Sequence, residues 1–145
     1  MLMEISKLII PEVFETIYRM GHRDELVIAD ANYYASARGK RLVHSNAFNN
    51  TELLSAILKY FPIDEDEEFA VNIMTPDHGY EQIPEIWNEY ENVLKKVFYN
   101  KKIILNKISR QEFYLRSKNA YATIQTYDPR LYADIIIRKG VVIEE

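Results

Sequence analysis

Apolar positions along this chain follow two alternating patterns, one with a helical period and one of short continuous runs. Between Pro11 and Gly21 the apolar side chains recur every three or four residues, as on one face of a helix. Proline suits the first turn of a helix and glycine suits its end. The apolar face of this first predicted helix consists of Val13, Phe14, Ile17 and Met20.

The same two patterns continue to the end of the sequence. Continuous apolar runs predict strands at 26–29, 41–44, 69–74, 102–108, 121–125, 135–137 and 141–143. Helical spacing predicts helices from Asn50 or Thr51 to Phe61, from Pro84 to Val97, and from Ser109 to about Lys118. The last of these begins with a serine followed three residues later by Glu112, the pattern of a capping box.

Strands that alternate with helices predict an α/β protein in which helices cover a β-sheet. The final strands follow each other with little chain between them, so we expect a mixed rather than a wholly parallel sheet. We see no linker and no repeat, and residues 1–145 are predicted to form a single domain.

Composition narrows the classes of function. The chain has no cysteine, which excludes disulfides, thiolate catalysis and thiolate metal sites. Its formal net charge is −4, with basic residues scattered, so nucleic acid is not an expected partner. No apolar run approaches the roughly 18 residues of a membrane span. The first residues lack the pattern of a signal peptide, so we expect a cytoplasmic protein.

A few polar residues stand where a sheet would expose them. His22 follows the helix-ending glycine and precedes the first strand, and an imidazole there can exchange protons near neutral pH. Asp30 ends that strand, where it can orient a ligand or cap the next turn. Arg110 lies in a first helical turn, which the helix dipole disfavours, and Tyr114 lies on the same face four residues later.

His22 and Asp30 are expected at opposite ends of one strand. At about 3.3 Å per residue, a strand of five residues separates them too far for one small pocket. Either the chain folds back or two subunits share the site. The three histidines do not have the spacing of a metal site, and the acidic run 64–68 reads as a solvated loop.

Together these segments resemble the L-fucose mutarotase and D-ribose pyranase family, from Ile9 to about Val142. Each segment alone is a weak signal, but their order and spacing are specific. They are MGHRDE at 20–25, ADA at 29–31, EIWNEYE at 85–91, ISRQEFYLR at 108–116, and YADII with RKGV between 132 and 141.

The resemblance implies an RbsD-like three-layer α/β/α sandwich and an isomerase that works at the anomeric centre of a sugar without a cofactor. It implies proton transfer by His22 and Tyr114. The positions that it implies for substrate binding are Asp30, Asp64, Arg110, Tyr132, Ala133 and Asp134. Family members form decamers of two stacked pentamers, with sites between subunits, so a homo-oligomer is expected.

The resemblance favours L-fucose as the substrate, because fucose-type members carry an arginine at the position of Arg110 and ribose-type members a histidine. Three departures accompany it. Asp134 replaces the usual asparagine, Ala133 replaces glycine as in ribose-type members, and Asn32-Tyr33-Tyr34 lacks a proline. The alternatives are a pyranase or mutarotase for ribose or another aldose, a non-catalytic sugar-binding protein, and a structural oligomer.

Overall fold

A computed structural model describes residues 1–38, 40–65 and 68–145 of the chain. These residues contain five helices and six strands. In chain order the elements are α1 (Pro11–Arg19), β1 (Glu25–Ala29), α2 (Ala35–Arg38), β2 (Leu42–His44), α3 (Asn50–Leu58), β3 (Val71–Met74), α4 (Glu85–Val97), β4 (Asn106–Ile108), α5 (Arg110–Asn119), β5 (Ala122–Gln125) and β6 (Ile135–Arg138). No helix in these ranges is both long enough and apolar enough to cross a membrane.

The strands form one mixed sheet in the order β2-β5-β1-β6-β3-β4. β6 runs antiparallel to both of its neighbours, β1 and β3, while the other pairs are parallel. The predicted mixed sheet is therefore confirmed. Because β6 is reversed, its first residue pairs with the end of β1, Ile135 opposite Ile28, and its last with the beginning, Arg138 opposite Glu25.

Helices cover both faces of the sheet, which confirms the predicted three-layer arrangement. Successive residues of β1 point to opposite faces. Leu26 and Ile28 belong to the core under α1, α3 and α4, and Val27 and Ala29 belong to the core under α2 and α5. All four are fully buried, as the continuous apolar run predicted.

Local capping explains two helix starts. The Oγ of Ser109 accepts a hydrogen bond from the Glu112 N–H at 3.1 Å, so the serine of the predicted capping box caps α5. The cap of α3 is Asn49, whose side chain accepts from the Glu52 N–H, one residue before the predicted position. The two strands predicted at 69–74 and 102–108 are confirmed in shorter form, as β3 and β4.

The strand predicted at 141–143 is wrong. Val141, Val142 and Ile143 are exposed and form no strand. The physical reason is that β6 lies in the middle of the sheet and is already paired with β1 and β3, so the chain that continues from it has no unpaired strand beside it. Helix α2 was not predicted. Phe14 is 39% exposed rather than buried on the face of α1, where Tyr18 packs on it.

The acidic run is only partly solvated. Asp64 is buried, whereas Glu65 is exposed and forms an ion pair with Lys101. Asp66 and Glu67 of this run lie outside the described residues.

Candidate active site

The predicted site residues lie at two opposite edges of the sheet. One, here called the His22 edge, is formed by His22 before β1, Asp64 before β3 and Lys139 after β6. A tight turn positions His22: the Gly21 N–H donates to the Asp24 carboxylate at 2.8 Å. Arg23 has a φ of 73° and donates its N–H to the Lys139 carbonyl at 2.8 Å.

At the His22 edge, the imidazole faces a buried carboxylate. His22 Nε2 lies 3.6 Å from Asp64 Oδ2, and about half of the His22 side chain is exposed. Asp64 is 4% exposed, and its Oδ2 accepts no hydrogen bond from any described residue. A protonated imidazole would be attracted to this oxygen, so the pair can hold a proton next to an open surface.

Gly140 brings Asp64 to this position. Its N–H donates to the Pro62 carbonyl at 2.8 Å, and the Asp64 N–H donates to the Arg138 carbonyl at 3.1 Å. A Cβ on Gly140 would lie 2.5 Å from the Ile63 carbonyl oxygen, closer than atoms can approach. Only glycine allows this contact between the two backbone segments.

Gly140→Ala is therefore expected to lower the free energy of unfolding by about 1–3 kcal/mol, because the backbone at Ile63 must move. Urea denaturation measures the change. Gly21→Ala is the matched control, since a Cβ there meets its nearest atom at 3.7 Å, an ordinary contact. Equal stability of the two variants would show that the close approach at Gly140 does not constrain the fold.

The opposite edge, here called the Asp30 edge, contains Asp30 after β1, Arg110 and Tyr114 at the start of α5, and Tyr132 to Asp134 before β6. The topology explains the grouping. Parallel strands β1 and β4 end at the same edge, and the reversed β6 begins there. Six of the eight predicted site residues lie at this edge.

A cluster of tyrosines connects the members of the Asp30 edge. The Tyr114 ring lies 5.4 Å from the ring of Tyr34 and 6.1 Å from that of Tyr33, measured between centroids. The Arg110 guanidinium lies 5.4 Å above the Tyr114 ring, so the predicted i, i+4 pair is in contact. Tyr33 and Tyr34 were considered only as a loop difference, and their contact with Tyr114 was missed.

Two phenols of this cluster, Tyr33 and Tyr114, are neutral at physiological pH. Burial raises the pKa of Tyr33 to about 12, and its hydroxyl donates to Ser117 Oγ at 2.6 Å. Burial and a hydrogen bond with Tyr34 raise the pKa of Tyr114, and Arg110 opposes the shift. Tyr114 is thus a proton donor in the resting protein, and Arg110 can stabilise the phenolate that forms when it gives up its proton.

Hydrogen bonds to the backbone carbonyls of Tyr132 and Ala133 fix the segment just before β6. Tyr132 has a left-handed backbone, with φ 58°, and its carbonyl accepts from the Trp87 indole N–H at 2.9 Å. The Ala133 carbonyl accepts from the Tyr90 hydroxyl and the Asn50 amide. The Ala133 side chain is fully buried, so any contact of this residue with a sugar would use its backbone.

Asp30 and Asp134 meet directly. The Asp30 N–H donates to Asp134 Oδ1 at 2.8 Å, and the Asn32 N–H donates to Asp30 Oδ1 at 2.7 Å. Burial raises the pKa of both carboxyl groups, and the charge of Asp30 raises that of Asp134 further. Asp128, a third buried carboxylate next to this pair, was not predicted as a site residue.

The structure confirms that His22 and Asp30 lie apart. β1 runs between them over five residues, about 16 Å of extended chain. Within one chain the acid–base pair of the His22 edge and the polar cluster of the Asp30 edge do not form one pocket.

The fold and the two edges define a small three-layer α/β protein with acid–base groups at both ends of its central strands. The chain belongs to the RbsD / FucU transport protein family, whose sequence profile matches residues 3–142.

Relatives with curated names match nearly the whole chain. The fucose mutarotase of Homo sapiens is 34% identical, covering 95% of this chain and 92% of its own length. The fucose mutarotase of Danio rerio is 36% identical, covering 97% and 94%.

Solved structures are also similar to this chain over nearly its whole length. The fucose mutarotase from Streptococcus pneumoniae, in complex with L-fucose, superposes with a TM-score of 0.90 at 36% identity, covering 98% of this chain and 100% of its own. RbsD of Bacillus subtilis, complexed with D-ribose, superposes with a TM-score of 0.69 at 20% identity, covering 97% and 100%, which shows the fold alone.

Proposed function

We propose that this protein is an isomerase that interconverts the α and β anomers of L-fucose without a cofactor. The observation that carries the proposal is the similarity over 98% of the chain to a fucose mutarotase whose structure contains L-fucose. The curated relatives named fucose mutarotase support it over a similar length. The direct test is saturation-transfer NMR of L-fucose with the purified protein. Exchange no faster than in buffer would contradict the proposal.

The reaction opens and recloses the sugar ring. One group removes the proton of the anomeric hydroxyl while another protonates the ring oxygen, and the bond between the anomeric carbon and the ring oxygen breaks. The free aldehyde rotates and closes on its other face, which returns both protons. Each positioned acid or base accelerates such a step typically about 10²–10⁴-fold.

The two edges supply groups suited to these steps. His22 exchanges one proton, with the buried Asp64 carboxylate 3.6 Å away to hold the charged imidazole. Tyr114 is the second proton carrier, with Arg110 above its ring. Asp30 accepts hydrogen bonds from sugar hydroxyls, and Tyr132 with its two following residues completes the binding surface. Asp64 is also placed to accept from a sugar hydroxyl.

A complete site requires a second copy of the chain, since the two edges are separated within one copy. Exposed apolar side chains provide surface for such contacts. They include the stacked pair Phe48 and Tyr127, with ring centroids 5.2 Å apart, and the segment 141–143. We propose a homo-oligomer in which the His22 edge of one subunit faces the Asp30 edge of its neighbour. The decamer and the cytoplasmic location remain predictions from the sequence.

Arg110 is proposed to favour fucose over ribose. Arg110→His should lower the ratio of L-fucose to D-ribose exchange by about tenfold, because the long guanidinium is replaced by a shorter side chain with different donors. Exchange of both sugars, measured by saturation transfer, gives the ratio. Arg19→His, on an exposed helix face at the other end of the chain, is the control. An unchanged ratio in Arg110→His would remove Arg110 as the discriminating residue.

A further inference from the structure

The Asp30 edge contains two neighbouring aspartates whose carboxyl groups are both almost completely buried. Asp30 is 7% exposed and Asp134 is 3% exposed. Oδ1 of Asp134 accepts the backbone N–H of Asp30 at 2.8 Å, which brings the two buried carboxyl groups close to each other. A hydrogen bond between two carboxyl groups requires a proton on one of them.

The charged groups around this pair do not neutralise it. Asp128, 1% exposed, adds negative charge to the same cluster. The nearby cation, Arg130, is bound to Asp128 at 2.9 Å and to Glu89 at 2.6 Å. Tyr33 and Tyr90 also lie near Asp134, and burial raises the pKa of both, so they are neutral.

We propose that Asp30 and Asp134 share a single proton in the resting protein, so that Asp134 is a neutral carboxylic acid that positions the Asp30 carboxylate for a sugar hydroxyl. The proposal rests on the proposed function for its substrate, but the proton itself is a property of the fold. Two ionised carboxylates in contact repel each other, and burial penalises both charges.

A neutral Asp134 supplies the donor that a hydrogen bond to Asp30 needs. A protonated carboxyl group has one donor and one acceptor. The Asp134 O–H can then donate to Asp30 while its Oδ1 accepts the Asp30 N–H. An ionised Asp30 carboxylate has room for several hydrogen bonds, so it can accept from Asn32, from Asp134 and from a sugar hydroxyl.

Burial raises the pKa of Asp30 and of Asp134, and the charge of Asp30 raises that of Asp134 further. By contrast, although burial alone would raise the pKa of Asp128, its hydrogen bonds with Arg130 lower it. Asp128 is therefore expected to be ionised when the pair is half-protonated, and it provides a matched control.

The decisive measurement is the carbon-13 NMR spectrum of the protein labelled at its aspartate carboxyl carbons, followed from acid to alkaline pH. In the wild type and in Asp128→Asn, we expect one aspartate carboxyl group to stay protonated at pH values well above the usual range for aspartate. In Asp134→Asn, we expect no such carboxyl group. All aspartates ionised at pH 7 in the wild type would overturn the proposal. So would persistence of the signal in Asp134→Asn.

The pH dependence of KM for L-fucose is a second measurement. A purely structural role of Asp134 would not change it. In the wild type, KM for L-fucose should rise with pH once the pair loses its proton, by up to about tenfold per pH unit. Asp134→Asn should abolish this dependence, because asparagine retains its donor at every pH. The same KM profile in both proteins would contradict the proposal.

Failure of the proposed function is distinguishable from failure of this inference. If the wild type does not exchange L-fucose, the function is wrong, while the carboxyl spectrum still decides whether the proton is shared. If Asp134→Asn does not fold, the titration of the wild type and of Asp128→Asn decides it without that variant.

The difference in thermal stability between Asp134→Asn and the wild type should change with pH in a defined direction. Because the pKa of Asp134 is raised in the folded state, its proton favours folding at low pH, and this stabilisation is lost as pH rises through the folded value. Asp134→Asn has no such loss. Its Tm relative to the wild type should therefore increase with pH, by roughly a few degrees, and a difference that decreases with pH would contradict the shared proton.

Discussion

Replacing His22 by alanine should lower the rate of L-fucose anomer exchange by about 10²–10⁴-fold, the usual contribution of one positioned acid or base. The imidazole is the titratable group at the His22 edge that is open to solvent while facing a buried carboxylate. Saturation-transfer NMR with both anomers at equilibrium measures the rate. The fold should be unaffected, because about half of this side chain is exposed.

His44→Ala is the matched control for this experiment. His44 is an exposed histidine at the end of β2, an outer strand of the sheet, and its removal should leave exchange unchanged. Exchange by His22→Ala at the wild-type rate would show that the proton carrier lies elsewhere. Tyr114 with Arg110 would then be the remaining acid–base pair to test.

Mixing two inactive variants should restore activity if sites form between subunits. His22→Ala and Asp30→Asn each damage one edge, and co-expressed chains assemble at random. A site with both edges intact then forms in about one of four combinations, giving about a quarter of the wild-type rate. Exchange is measured on the co-purified mixture with a different affinity tag on each variant.

The control for this experiment joins both substitutions in one chain and co-expresses it with a chain carrying His22→Ala alone. Every site then lacks His22, and no recovery is expected. If the mixture of single variants is as inactive as this control, both edges must act within one chain. Shared sites would then be wrong, even if the protein exchanges L-fucose.

The layered fold could be predicted from the sequence because its signals are local. Continuous apolar runs such as 26–29 are read directly, and Ser109 caps α5 through a residue only three positions away. Residues 141–143 have the same apolar character as a strand, yet their structure depends on β6 being paired on both sides already. That is a property of the assembled sheet, which no local pattern contains.

In the candidate site too, local contacts could be predicted from the sequence and contacts between distant segments could not. The pairing of Arg110 with Tyr114 follows from helical spacing and was predicted. The contact of His22 with Asp64 depends on Gly140 approaching Ile63, a pairing of distant segments. The shared proton likewise needs Asp134 to be buried against Asp30, 104 positions earlier in the chain. Charge state at that position is a consequence of packing and is invisible in the residue type.

The reversed strand β6 restricts how the length of this chain can vary. Asp134 contacts Asp30 just before the strand, and Lys139 contacts Arg23 just after it, so four residues connect the two edges. Gaining or losing one residue there would turn the following side chains to the opposite face of the sheet. Insertions and deletions among natural relatives are therefore expected in surface connections such as 75–84, while the spacing from 134 to 139 stays constant.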